Sequence, residues 1–531
     1  MKKHRFLFIA LIVVLGVLPL LAACGTPEAT EAPKATEPAT KAPEATEDPR
    51  MGGKLIFASS TDEIRLDPNT TTWNTDIMIS FNIYETLYRV NRDGTGLEPS
   101  AAESYDVSDD LKVWTFYLRK GLKFSDGTPL TAEDVAFSIE RGLAEDSLWA
   151  WIWQDAGLEK AEAIDDYTVV FTLNKPFVPF LTYQAGYWAS IFPKAALEAQ
   201  GDEAFFEKPV CSGPYMVKEF VQADHLTIVR NPHSRLTPFI DEIEFPILPD
   251  DNTRMLKLQA GEIDVAWDVP PSQIDAINAL PGLMVKEYPF AATGIMFINH
   301  AKPPLDDVNF RLALNYAVDR EALIETVLFG HGEFPTSFLP PGVMYWNDTV
   351  PGYPYDLEKA KEYLAMSKYA DGAEFEIWTS TTGTTDSEIA TALQDMWSKL
   401  PGVETKIVQH EPAVSRELRA KGEHWMFTGY FSSDVVDPDE LTSIFIGGYW
   451  NGFVNADISE IEPVARQAQI EADQVKRGEL YSEIQQWAQE NAMIINLYYG
   501  TNNWGMKETV RDLWANPLLG TRLHEAWIEK Q

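Results

Sequence analysis

The 531-residue chain shows no familiar catalytic motif. No Gly-x-Ser-x-Gly elbow, His-Glu-x-x-His pair or Walker phosphate loop occurs, and acid pairs such as Asp165-Asp166 read as turns flanking strands. The eight histidines include no close pair, His225 and His233 being the nearest two, which argues against a nickel or other metal centre. Catalytic residues, metal and cofactor are therefore each expected to be none, and a secreted hydrolase remains only a remote alternative. Binding chemistry is better represented. Residues 429–438, GYFSSDVVDP, place Asp434 and Asp437 among aromatic and hydroxyl groups, with Tyr430, Phe431 and Ser433 beside the first acid. A carboxylate in a cleft gains about 1.5–3 kcal/mol from a charge-assisted hydrogen bond, and leaving it unpaired costs a comparable amount. The competing reading is a helix cap or a surface-loop acid, and Asp437-Pro438-Asp439 is a good turn start. A second polar loop, Ser60-Thr61-Asp62, follows a short strand and could face the same ligand. Tyr498 and Trp504, with Trp188 and Trp450 after them, are candidate aromatic platforms, although large aromatics more commonly fill cores.

Charge and cysteines narrow the partners. A net charge of −37 argues against nucleic acid, which requires a basic face. Of the two cysteines, Cys24 and Cys211, the second lies in PVCSGPY with no histidine near it, so a small buried residue in a tight turn is preferred to a reactive thiol.

These residues need elements to position them. Val113, Thr115 and Tyr117 alternate with Trp114, Phe116 and Leu118, the period of a strand with two unlike faces. Gly121 then turns the chain and Leu122 and Phe124 are expected to begin a second strand. Thr131, followed by Glu133 and Asp134, has the form of a helix N-cap, and Val135, Ile139 and Leu143 form the buried stripe of that helix. Further strands are expected at 54–59, 167–173, 215–220, 225–230 and 243–248, and a buried one in GIMFINH at 294–300. Phe310, Leu314 and Ala317 form a helical stripe, Asp319 caps the next helix and Gly330 ends it. Residues 375–379, 386–400 and 405–408 read as a β-α-β unit, hence a parallel pair. The fold class is α/β with mixed sheets.

The N-terminus is an export signal. Lys2, Lys3, His4 and Arg5 precede an apolar run over 6–18, and Leu21-Ala22-Ala23-Cys24 closes it. The run is shorter than the roughly 20 residues of a membrane span. It looks like a bacterial lipoprotein signal, with lipid on Cys24; an ordinary cleaved signal or an uncleaved anchor are the alternatives. The next stretch, rich in Thr, Pro, Ala and Glu, is read as a disordered tether with a reach on the order of 30 Å.

The words EPSAAESYDVSDD and WTFYLRKGLKFSDGTPLTAEDVAFSIER resemble those of the solute-binding proteins of peptide-type ABC importers, the family of oligopeptide-, dipeptide- and nickel-binding receptors. LDPNT, FNIYETLYRV, SGPY, IDEIEFPILPDDNTRMLKLQAGEIDV, FRLALNYAVDREALIETVLFGHG and SDVVDPDE add to the resemblance in order along the chain. It implies a fold like the type II periplasmic binding proteins, with two lobes, a cleft between them, and the three-domain arrangement of the peptide-binding variant. The expected division is 1–23 signal, 24–50 tether, 51–90, 210–290 and 505–531 first domain, 91–209 inserted second domain, and 291–504 third domain. In peptide-binding members an aspartate placed like Asp434 holds the peptide's N-terminal ammonium, although Tyr430 and Phe431 stand where members often have Gly-Trp. The implied function is an extracytoplasmic, lipid-anchored, monomeric receptor that closes on oligopeptides or dipeptides and delivers them to ABC permease subunits with their ATPases. The same role for short oligosaccharides or another small solute is the alternative, since sixteen tryptophans could stack on sugar rings.

Overall fold

A computed structural model describes residues 48–61, 63–381, 384–446, 454–518 and 520–530. The signal, Cys24, most of the tether, Asp62 and Trp450 lie outside the described residues. The chain divides into two units, 1–47 and 48–531, and every described residue belongs to the second.

Alternation builds a small sheet first. In the strand Val113–Leu118 the residues Trp114, Phe116 and Leu118 are buried while the intervening ones face outward. This strand is central, antiparallel to Ala102–Val107 on one side and Thr168–Leu173 on the other, with Leu158–Asp165 completing four strands. The helix Ala132–Gly142 buries Val135 and Ile139, while Leu143 serves as its C-cap and stays partly exposed. At its start the Thr131 backbone N–H donates to Asp134 Oδ2 at 2.9 Å, as the N-cap pattern implies. The strand expected from Leu122 does not form. Phe124 N–H bonds Thr128 O, Gly127 N–H bonds Phe124 O and Asp126 accepts from Thr128, so the turn residues close on themselves. Only an isolated bridge between Lys123 and Pro129 remains.

The rest of the chain organises around a ten-stranded mixed sheet. At one end Lys54–Ala58 runs parallel to both Glu242–Pro246 and Val265–Ala266, and the hairpin Tyr215–Val221/His225–Arg230 extends the edge. At the other end the β-α-β unit is present: Glu374–Ser380, the helix Thr384–Trp397 and Glu404–His410, with the strands parallel from Glu374↔Glu404 to Ser380↔His410. Two long strands, Leu283–Ile298 and Ile495–Lys507, join the ends by pairing antiparallel along most of their length. Their register shifts between Pro289 and Thr293, consistent with a proline that cannot donate to the ladder. The buried strand read in 294–300 is thus the second half of a longer one. Beyond it, Val308–Tyr316 buries Phe310 and Leu314, Asp319 accepts from Ala322 N at 3.0 Å, and Gly330, at φ +85°, closes the next helix through its N–H to Ile324 O. Met296, Phe310, Leu314, Phe375 and Trp397 share one core; a larger cluster runs from Leu55 through Trp188 to Trp504.

Candidate functional site

The strand Met426–Ser432 leads into a short loop and then the helix Asp439–Phe445, so the loop's acids are presented at a strand end. Ser433 fixes the loop: its N–H donates to Ala291 O at 2.8 Å and its hydroxyl to Val435 O at 2.8 Å. The Asp434 backbone N–H donates to Glu440 Oε2 at 2.9 Å, which makes Glu440 the internal brace of the turn. The Asp434 carboxylate is left over. Only 6% of the residue is exposed, and its Oδ1 is buried without a hydrogen-bond partner among the described residues. Burial raises its carboxyl to about 7. Glu440 is pushed well above the usual carboxylate range, first by burial and then by the charge of Asp434.

Two distant segments contribute to the same spot. Asp76, in the first turn of the helix Asn74–Ile83, is raised to about 7 by burial, with Thr71 Oγ1 donating to it at 2.6 Å as partial compensation. Tyr187 donates to Thr71 O at 3.4 Å, and its phenol is raised by burial and then by the charges of Asp434, Glu440 and Asp76, acids from two separate parts of the chain. The cation that acts on Asp76 is Arg65, itself bonded to Glu63 at 3.1 Å. A buried carboxylate oxygen with no partner among the described residues is chemically complementary to a cationic donor such as an ammonium.

The other expected residues fall into two groups. Phe431 packs edge-on to Phe445 at 5.5 Å beside this loop. Tyr430 retains 39% exposure, and its phenol is pushed well above the usual range, first by burial and then by Tyr498. Tyr498 covers Gly294, where an added Cβ would meet its ring at 2.3 Å, and it acts electrostatically on Tyr430. Ser60 is partly exposed, whereas Thr61 is buried with its hydroxyl on Glu63 O at 2.7 Å; the adjoining Ser59 touches Thr75, next to Asp76. Trp504 is placed apart from these. It is fully buried against Phe57, Trp267 and Tyr288, with Nε1 on Asn502 Oδ1 at 2.8 Å, and is a core residue in this conformation. Trp188 is likewise buried, against Trp149, Tyr183 and Tyr187. Cys211 is buried, donates to Pro209 O, and has its thiol pushed up to about 12 by burial.

Sequence reasoning did not single out Asp76, Tyr187 or Glu440, because nothing local distinguishes an acid in a helix's first turn from an ordinary dipole partner. It also did not find the bonds between residues 155–183 and the 439–469 region. Asp155 accepts from Arg466 at 2.9 Å, Gln469 at 2.7 Å, Ser443 at 3.3 Å and Lys175 at 3.4 Å. Tyr183 donates to Asp439 Oδ2 at 2.7 Å, and Val178 N–H to Gln469 O at 2.8 Å. Among the described residues no cluster of His, Cys, Asp and Glu has the geometry to hold a metal ion.

Comparison with known proteins agrees with this architecture. The profile of the bacterial extracellular solute-binding proteins, family 5 Middle, matches residues 96–453. The probable D,D-dipeptide-binding periplasmic protein DdpA of Escherichia coli is 30% identical over 480 residues, covering 88% of this chain and 92% of the relative. Heme-binding protein A of Haemophilus influenzae is 31% identical over 438 residues, covering 76% and 79%. Among solved structures, the ABC transporter-associated periplasmic binding protein DppA of Helicobacter pylori, in complex with the peptide STSA, superposes with a TM-score of 0.81 at 26% identity, covering 91% of this chain and 99% of that one. The chain belongs to the bacterial extracellular solute-binding proteins, family 5.

Proposed function

We propose that this solute-binding protein captures short peptides with a free N-terminus, the ammonium pairing with Asp434, and hands them unaltered to an ABC permease. The observation that carries the reading is the buried Asp434 Oδ1 with no hydrogen-bond partner, beside Tyr187, Asp76 and Glu440. A carboxylate held dry at the end of a strand is costly alone and favourable once an ammonium donates to it. Peptide backbones suit such a site, because their amides can add to strand edges while side chains occupy hydrated space near Tyr430 and Tyr498. Relatives named for dipeptides and di/tripeptides support the solute class, and the ABC transporter association of the Helicobacter pylori protein supports the permease partner. The short-oligosaccharide alternative has less support from aromatics, since the rings of Trp504 and Trp188 are enclosed in core.

The proposal extends to organisation. The protein acts as a monomer outside the cytoplasm, tethered through lipid on Cys24, with 91–209 inserted into a first domain and 291–504 forming a third. The four-stranded sheet built entirely between Ala102 and Leu173 supports that insertion. Native mass spectrometry of protein purified without refolding is expected to reveal a co-purified peptide. In calorimetry Asp434→Asn should weaken binding of that peptide roughly ten- to a hundredfold, and of its N-acetylated form far less. Equal losses for the two forms would remove the ammonium anchor.

A further inference from the structure

A cavity with both charged and apolar side chains on its walls lies apart from the loop that carries Asp434. It measures about 50 Å³ and its walls include Tyr84, Glu85, Arg89, Ser100, Arg522 and His524. That volume exceeds the roughly 10–15 Å³ that one water needs. It sits where the chain leaving the helix Asn74–Ile83, the paired strands Tyr88–Val90 and Leu97–Pro99, and the C-terminal turn Leu523–Glu525 converge.

Cations outnumber anions around it. Arg235 reaches Glu85 from behind, Nε at 3.0 Å and Nη2 at 3.2 Å, and also bonds Ser100 Oγ at 3.1 Å. Arg89 Nε and Arg522 Nη2 share a single oxygen, Glu98 Oε1, each at 2.7 Å. Arg522 also bonds Val90 O at 2.9 Å and lies 3.5 Å from Glu525, which is divided with Arg92 at 3.4 Å. Arg89, Arg92, Arg235 and Arg522 thus meet Glu85, Glu98 and Glu525, and Arg119, whose Nε donates to Ser100 O at 2.7 Å, adds a further cation. Arg89 commits only its Nε to a carboxylate, so its two terminal nitrogens are the donors in surplus. The field is felt nearby: His524 is held down to about 3 by burial and then by Arg89, Arg522 and Arg235, which keeps its ring neutral.

We propose that this cavity is a binding site for one small monovalent anion of halide size, held by the terminal nitrogens of Arg89 with Arg522 and His524 beside it. Clustered guanidiniums in a partly buried site repel one another, and an anion that accepts from the Arg89 fork relieves that repulsion. A bound anion ties residues 84–100 to the C-terminal turn, so occupancy stabilises the fold by mass action.

The test is thermal unfolding at pH 7.5 and constant ionic strength while sodium gluconate is replaced by sodium chloride. The midpoint should rise and saturate with chloride, and Arg89→Gln should abolish that response. Glu98→Gln, which removes a competing carboxylate, should saturate at a chloride concentration roughly tenfold lower. Crystals soaked in sodium bromide should show an anomalous peak in contact with Arg89; if Arg89→Gln does not fold, the Glu98→Gln shift and this peak decide the matter. Identical midpoints in the two salts, a chloride response that Arg89→Gln retains or Glu98→Gln leaves unshifted, or bromide bound only elsewhere would overturn the site.

Discussion

Asp434 and Asp437 stand three residues apart on one loop and are both nearly inaccessible, at 6% and 1% exposure, yet their surroundings are opposite. Asp437 is saturated. Arg477, from the helix Gln474–Glu490, grips it with two bonds of 2.6 and 2.8 Å, and the Asp439 N–H adds a third at 3.0 Å. Asp434 has its backbone braced but its Oδ1 left without a donor. Asp439 is intermediate, with a single phenol from Tyr183 and a carboxyl raised to about 7, first by burial. Burial alone therefore does not distinguish architecture from function on this loop; the count of donors does. A saturated acid holds the chain, and an unsaturated one is where the proposed function places the donor from outside.

The contrast can be broken most severely at Arg477. Arg477→Gln leaves Asp437 buried and uncompensated and should cost about 3–5 kcal/mol in denaturant unfolding, abolishing solute binding only through loss of the fold. A loss below about 1 kcal/mol would mean that Asp437 finds water and is not structural. Tyr183→Phe removes the one donor on Asp439 and should cost about 1–3 kcal/mol by the same measurement.

Asp434→Asn should cost least in the absence of solute, or even stabilise, because no native bond is lost and a poorly solvated charge is removed. Its sharper signature is in pH. Burial raises Asp434 to about 7 from an ordinary 3.8, so between about pH 4 and 7 the native state retains a proton that the unfolded chain has released. Stability must fall as pH rises through that window. Thermal midpoints from pH 5 to 8 should therefore decline less steeply in Asp434→Asn than in the wild type, with Asp76 and Asp439 supplying the remaining slope. Identical slopes would show that Asp434 is already paired.

The contrast also marks the limit of what could be read from residues in order. Period and capping located the strand at Val113, the helix after Thr131, the parallel pair of the β-α-β unit and the helices flanking Asp319, since each is decided by neighbours within a few positions. The strand expected at Leu122 failed because the adjoining turn satisfies its own amides, a local competition that alternation does not register. Asp434 was visible through its resemblance to an established motif. That Asp437 is claimed by Arg477, 40 positions away, or that Asp76 and Tyr187 reach the same space, depends on tertiary proximity that carries no short-range signal. Trp504 shows the converse: an aromatic near the end of a long strand could face either way, and the rings of Phe57, Trp267 and Tyr288 claim it for the interior.

Asp155 carries a kinetic consequence. On the proposed function, a guest paired with Asp434 leaves when residues 149–192 part from 434–477, a movement that breaks the links from Asp155 to Arg466, Gln469 and Ser443 together with the Tyr183–Asp439 and Val178–Gln469 bonds. Each is replaceable by water once the gap is wide, but none while it is narrow. On that reading the barrier to escape includes these links as well as the guest's own contacts, and residence time depends in part on side chains that never touch the cargo.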